Sequence, residues 1–306
     1  MYEINSLLKS CQLCPRKCSV DRTNGQLGYC GQPDRIYAAR AALHFWEEPC
    51  ISGSAGSGTV FFSGCNLRCV HCQNHEIALG KQGMEITPLR LSQIFLELQE
   101  KGAHNINLVT PTHYIPQIRL ALTTAKEQGL TLPIVYNSGG YEEVSSLRLL
   151  DGLIDIYLPD LKYRSPELGA RFSNCPDYFE KASLALREMF RQVGAPLFEE
   201  SSGLLRRGMI VRHLLLPGQA GEAKRILRWL HDTFGNDIYV SIMNQYTPMP
   251  QLSDRPELQD LRRKVTQDEY RRVLDFAEAI GIVNGFLQEG DTAEESFIPP
   301  FTGEGL

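Results

Sequence analysis

Nine cysteines lie in this chain of 306 residues, and seven of them fall into two tight groups. Cys65, Cys69 and Cys72 are separated by three and two residues; Cys11, Cys14, Cys18 and Cys30 by two, three and eleven. Clustered thiols in a reducing compartment point to metal or redox chemistry rather than to disulfides. Three thiolates are an odd number for the common ions. Structural zinc is closed by four ligands, whereas a [4Fe-4S] cluster held by three cysteines keeps one iron free of protein ligands. Such an open iron can chelate a substrate or cofactor, by the logic that separates open catalytic zinc from closed structural zinc. A zinc site completed by His71 or His75 is the alternative use of the same residues. The four N-terminal thiols suffice for one closed site, and their spacing suits a zinc knuckle and an auxiliary [4Fe-4S] cluster equally. Cys50 and Cys175 stand outside both groups.

These thiols need a frame that presents them. Six short apolar runs, at 59–63, 106–110, 134–137, 154–158, 209–216 and 238–243, are rich in Val, Ile and aromatic residues. They lack clean polar alternation, as strands buried on both faces do. Helix candidates lie at 88–101, 115–128, 142–150, 178–193, 222–234 and 268–280, with Thr87 and Thr266 as start signals. Six strand-then-helix units predict an α/β fold, a partial (β/α)6 TIM-type barrel, with a doubly wound sheet as the alternative. The triplet directly follows the first run and so falls on the C-terminal edge of the sheet, where barrel enzymes place their chemistry. Residues 1–56 are loop-rich and too short for a core of their own, which predicts a Cys-rich extension that folds around its metal. Residues 57–285 are then the barrel, and the polar segment 286–306 a tail wrapping it.

Composition narrows the function classes. With 42% hydrophobic and 22% charged residues the chain is ordinary for a globular protein. Its 31 basic and 36 acidic residues give a net charge of -5, the wrong sign for a general nucleic-acid binder, and no nucleic-acid partner is expected. No apolar run reaches membrane-spanning length, and MYEINSLLKSCQLCPRKC lacks the apolar stretch of a secretory signal. A cytoplasmic protein without membrane contact is expected.

The segment FFSGCNLRCVHCQN resembles the signature of the radical S-adenosylmethionine (SAM) superfamily. HFWEEPCISG, GSGTVFFSGCNLRC, GAHNINLVTPTHY, IVYNSGGYE, DIYLPDLKY, VRHLLLPG and SIMNQYTPM further resemble the PflX-type group, which is similar to pyruvate formate-lyase activating enzyme. The resemblance runs over essentially the whole chain. It implies a radical SAM enzyme with a [4Fe-4S] cluster on Cys65, Cys69 and Cys72, whose open iron binds the amino and carboxylate groups of SAM. A reduced cluster then passes one electron to the sulfonium, releasing methionine and a 5′-deoxyadenosyl radical that takes hydrogen from a substrate. The implied substrate is an unidentified protein, peptide or metabolite, and the implied partner a reductant such as flavodoxin or ferredoxin. Activation of a glycyl-radical enzyme is the family analogy.

The same resemblance assigns expectations to the strand ends. His71 stands where superfamily members usually carry an aromatic residue, and its ring is expected against adenine. The second strand ends Val109-Thr110-Pro111-Thr112-His113 where the family often has a Gly-Gly-Glu motif, so the hydroxyls of Thr110 and Thr112 are expected to serve the cofactor. Asn137 and Ser138, followed by two glycines, are expected as ribose or carboxylate contacts. Asp160 and Lys162 resemble the Asp-Leu-Lys element of the activating enzymes; a functional pair and a salt bridge supporting the loop are both open. Arg212 and His213 are adjacent, so only one faces the interior, and His213 is the expected one. Gln245, between Asn244 and Tyr246, is expected to bind SAM or substrate. Cys50, with Glu47 and Glu48, is expected to close over the substrate. The competing function is an Fe-S electron carrier or metal-binding scaffold without SAM cleavage, although an electron carrier prefers fully ligated clusters.

Overall fold

In the computed structural model, residues 2–252, 254–288 and 299–306 are described. The strands are β1 (Ile36–His44), β2 (Ser57–Phe62), β3 (Met84–Ile86), β4 (Ile106–Val109), β5 (Ile134–Ser138), β6 (Ile156–Pro159), β7 (Leu197–Phe198), β8 (Leu205–Leu214), β9 (Tyr239–Met243) and β10 (Gly285–Leu287). The helices are α1 (Tyr2–Lys9), α2 (Pro49–Ser52), α3 (His75–Ala78), α4 (Pro88–Glu100), α5 (Ile115–Glu127), α6 (Val144–Leu147), α7 (Pro166–Ser173), α8 (Tyr178–Val193), α9 (Ala220–Phe234) and α10 (Gln267–Ala279).

All six expected strands form, and they run parallel as β2, β4, β5, β6, β8 and β9, with β10 added beside β9. Every residue of β2, β4 and β6 is buried, which is why none of them alternates. The sheet order β10-β9-β8-β6-β5-β4-β2-β1-β3 has two ends and does not close, so this is an open, partial barrel. Helices pack on its outside through one face, as α4 does with Leu91, Ile94, Phe95 and Leu98. Thr87 and Thr266 cap α4 and α10 as expected, Thr266 in a reciprocal capping box with Glu269.

The parity of the strands separates two cores. Ile134, Tyr136, Tyr157, Met209 and Val211 pack in the large core with the helices. Val135, Ile156, Leu158 and Ile210 point the other way, into the barrel, where Cys50 and Ile51 of α2 meet them.

Residues 1–56 hold more structure than expected. β1 pairs antiparallel with both β2 and β3. Its alanine-rich sequence, IYAARAALH, carries little strand propensity, and the neighbouring strands impose the conformation. In the segment 286–306, residues 289–298 lie outside the described residues. Its end is bound to β1: Gly303 N donates to Ala39 O at 3.0 Å, and Ala41 N to Glu304 O at 2.8 Å. Phe301 packs edge-on against Phe61, with ring centroids 5.5 Å apart. Among the described residues, no helix is long and apolar enough to cross a membrane.

Candidate active site

At the end of β2 the chain passes through Ser63 and Gly64 into the cysteine triplet. Gly64 has φ +86°, and a Cβ there would stand 2.5 Å from Gln32 Cγ and 2.8 Å from the Cys30 carbonyl. Only glycine lets the triplet loop lie this close to the N-terminal segment. Arg16 fastens the loop from below, donating to the carbonyls of Asn66 at 2.8 Å, Ser173 at 3.1 Å and Asn174 at 2.6 Å. Asn66 in turn donates to Tyr141 O at 2.7 Å.

Cys65, Cys69 and Cys72 line one cavity of about 390 Å³ over the C-terminal ends of the strands. Leu67 N donates to Cys65 Sγ at 3.3 Å, Ser173 Oγ to Cys69 Sγ at 3.0 Å, and the Asn74 amide to Cys72. Among the described residues, no three His, Cys, Asp or Glu side chains converge as they would on one bound ion. Three thiols spread along a wall, each receiving a hydrogen bond, suit a cluster of several irons better than zinc. His71 supplies a second sign that a polar group can bind here. Its ring is buried among Tyr163, Phe172 and Tyr246, and its Nδ1 has no hydrogen-bond partner. Burial drives its pKa down to about 3, so the ring is neutral and ready to meet a polar ligand.

The strand ends supply the rest of the wall. Thr110 closes β4 in the left-handed region, φ +59°, a strained conformation for a residue with a side chain. Thr110, Asn137, Ser138, Asp160, Lys162 and Gln245 all line the cavity. Gln245 is held by Gln288, which donates to its Oε1 at 2.8 Å. Lys162 and Asp160 form an ion pair, and both line the cavity. Burial works against the Lys162 charge; Asp160 outweighs it and holds the ammonium above its ordinary range.

Three expected residues are elsewhere. Thr112 is buried beneath the wall and donates to Glu142 Oε1 at 2.7 Å. His213 faces the helices, with Nδ1 2.7 Å from Leu161 O, because it shares the parity of Val211. Arg212, sharing the parity of Ile210, takes the inward place instead. The alternation argument was sound and the choice between the two was not. The signal was available, since two adjacent glutamates ahead of β2 need a buried cation. Arg212 Nε donates to Glu48 Oε1 at 2.8 Å, and its Nη2 pairs with Glu47 as well. Asn107 and Asn137 also donate to Glu47 Oε1, at 2.8 and 3.3 Å. Cys50 does not reach the cavity. It packs with Ile51, Val135, Ile156, Leu158 and Ile210 below it, and burial pushes its thiol up to about 12. Gln73, Ser241 and Met243 also line the cavity; they lie inside the segments FFSGCNLRCVHCQN and SIMNQYTPM but were not singled out there.

The model of the radical SAM superfamily matches residues 59–230, more than half of the chain. An uncharacterized protein of Methanocaldococcus jannaschii is 27% identical over 284 residues, covering 89% of this chain and 75% of that protein. Among solved structures, SuiB of Streptococcus suis bound to precursor peptide SuiA matches with a TM-score of 0.50 at 13% identity, over 74% of this chain and 46% of SuiB. Methylornithine synthase matches with a TM-score of 0.48 at 14% identity, over 70% of this chain and 59% of the enzyme. The chain thus spans about half the length of these solved proteins, and the likeness to them concerns the fold.

Proposed function

The chain belongs to the radical SAM superfamily, and we propose that it takes a hydrogen atom from a peptide or protein segment presented at the cavity mouth. The observation that carries this reading is the placing of Cys65, Cys69 and Cys72 on the wall of a cavity over the strand ends. A [4Fe-4S] cluster and SAM, supplied with one electron by a flavodoxin or ferredoxin, provide the reductive cleavage to methionine and a 5′-deoxyadenosyl radical.

The residues of this chain bind and orient. Cys65, Cys69 and Cys72 would hold the cluster; burial and the neighbouring thiols push Cys65 and Cys72 up, and the Lys162 ammonium offsets only part of that. His71 suits adenine, Asn137 and Ser138 suit ribose or carboxylate oxygens, and Thr110 and Gln245 offer further polar contacts. Glu47, Glu48 and Arg212 tie the segment 44–49 to β8, fixing the inner wall and keeping water from the space beside it.

The mouth argues for a polymeric substrate. A volume of about 390 Å³ is at the small end for ligand sites, enough for one nucleoside-sized cofactor. Trp46 and Leu287 sit on the rim at 59% and 56% exposure, an apolar border that suits a chain lying across the opening. Activation of a glycyl-radical enzyme, in which hydrogen leaves a backbone glycine, is the form of this reading that the sequence resemblance supports.

The test is anaerobic incubation of reconstituted protein with SAM and dithionite. We expect 5′-deoxyadenosine and methionine from the wild type, and none after Cys65→Ala, Cys69→Ala or Cys72→Ala. Undiminished cleavage in any one variant overturns the assignment. With a deuterated peptide or protein substrate, the label should appear in 5′-deoxyadenosine.

A further inference from the structure

Arg22 poses a question of charge balance. It is fully buried at the start of a short 3-10 turn, Arg22–Asn24. Its Nε donates to Pro33 O at 3.0 Å, and its Nη1 donates to His113 O at 2.7 Å and to Cys11 Sγ at 3.8 Å. Its Nη2 also donates to Pro33 O. None of these partners is a carboxylate. The neighbouring Asp21 turns its oxygens to Thr23 and Asn24 instead. A guanidinium stays charged throughout the working pH range, and a buried ion surrounded only by neutral dipoles is strongly unfavourable. The guanidinium also lies over the Tyr114 ring, 5.9 Å from its centroid, which carries no net charge, so the negative charge is sought on the sulfur side.

Cys11 and Cys30 stand there, with Cys14 and Cys18 beside them. Cys14 interacts electrostatically with Cys11 and Cys30, and Cys30 with Cys11, Cys18 and Arg22. Each sulfur also receives a donor: Cys11 from Arg22, Cys14 from the Arg16 amide, Cys18 from Tyr29 N at 3.3 Å, and Cys30 from the Gln32 amide. Two of these bonds come from the amide two residues on, as Leu67 does for Cys65 in the triplet. Burial raises the Cys14 and Cys30 thiols; the donors work against it, in favour of the thiolate form that binds metal.

We propose that Cys11, Cys14, Cys18 and Cys30 hold a second metal centre, an anionic tetrathiolate with Arg22 as its buried counter-ion. One zinc and one [4Fe-4S] cluster both give such a centre a formal charge of about −2. Like the triplet, the four thiols do not converge as around one ion, so zinc requires them to draw closer, and metal analysis separates the two occupants. The centre is coupled to the cavity through packing. Arg22 holds the His113 carbonyl, His113 Nε2 lies 2.7 Å from Ser63 O, and Cys30 and Gln32 press on Gly64, next to Cys65. The assignment stands on these residues alone, whether or not the cavity cleaves SAM.

The experiment uses the Cys65→Ala/Cys69→Ala/Cys72→Ala variant, purified anaerobically and supplied with zinc or with iron and sulfide. The expected result is about one zinc or about four irons per chain, lost when Cys11→Ala and Cys14→Ala are added. Folded protein, by circular dichroism, that retains neither metal and leaves all four thiols open to a thiol reagent overturns the proposal. If the triple variant does not fold, wild-type protein decides: about one zinc beside about four irons, or about eight irons, supports it, and four irons without zinc overturns it. Arg22→Met should release the second metal to a chelator about tenfold faster or more, with Arg22→Lys in between. Unchanged release removes Arg22 as counter-ion. SAM cleavage in the wild type reports on the triplet separately, so the two readings fail independently.

Discussion

Glu142 shows how much one buried side chain can say about pH. Its carboxylate accepts from Thr112 Oγ1 at 2.7 Å and Tyr136 Oη at 3.1 Å, with Ser138 also turned toward it. Burial raises its pKa from 4.5 to about 7, the hydroxyls offsetting only part of that effect. Because the folded state holds the proton more tightly than the unfolded one, this group favours folding below the unfolded value. That contribution fades as pH rises from 4.5 to about 7 and is gone above it. Wild-type stability should therefore fall by up to roughly 3 kcal/mol across this window, and Glu142→Gln should flatten the profile, read from urea midpoints at pH 5 and 8. Cys50 belongs to the same scale. Packed against aliphatic side chains, it is not among the residues that line the cavity. Cys50→Ala should cost about 1 kcal/mol of stability and leave 5′-deoxyadenosine formation and substrate turnover unchanged. A specific loss of turnover would return it to the chemistry.

Among the elements, the segment 44–49 depends most on a single residue elsewhere. Arg212 on β8 holds both Glu47 and Glu48, and all three side chains are nearly buried. Burial alone would raise the Glu48 pKa; the charge and hydrogen bonds of Arg212 outweigh it and hold the carboxyl below its usual range. Arg212→Ala leaves two buried carboxylates without their cation, and we predict a destabilisation of about 3–5 kcal/mol. Thermal melts at neutral pH measure it, and acidification should narrow the gap to wild type as the orphaned carboxylates take up protons. A melt within experimental error of wild type would show that the segment is anchored some other way.

At the scale of the whole molecule, the C-terminal chain ties the two ends of an open sheet. β10 extends the sheet beside β9, and residues 303–304 bond to β1 near the opposite end. Arg40 and Glu304 add an ion pair at 2.8 Å, and Phe301 covers Phe61, itself a cavity-lining residue. Deleting 299–306 should cost about 1–3 kcal/mol in lost hydrogen bonds and packing, and should expose the β1 edge to self-association. Differential scanning fluorimetry and light scattering report the two effects; an unchanged melt and a monodisperse sample would assign the tail no role in closure.

Most of the frame was legible in the residues. The six parallel strands were readable because their centres are buried on both faces, which leaves short apolar runs in one dimension. The cysteine groups were readable because their spacing is local in the chain. Asn137, Ser138, Asp160, Lys162 and Gln245 were legible as strand-end residues, and the parallel register brings them to one rim. β1 was not, since an alanine-rich strand is made by its partners and not by its own propensity. Nor was the choice between Arg212 and His213: alternation says that one faces in, but which one depends on Glu47 and Glu48 arriving from about 165 residues away along the chain. The buried charge of Arg22 likewise has no signature in sequence. An arginine near four cysteines is ordinary until tertiary packing removes water from it, and desolvation, which no spacing encodes, is what turns it into a demand for an anion.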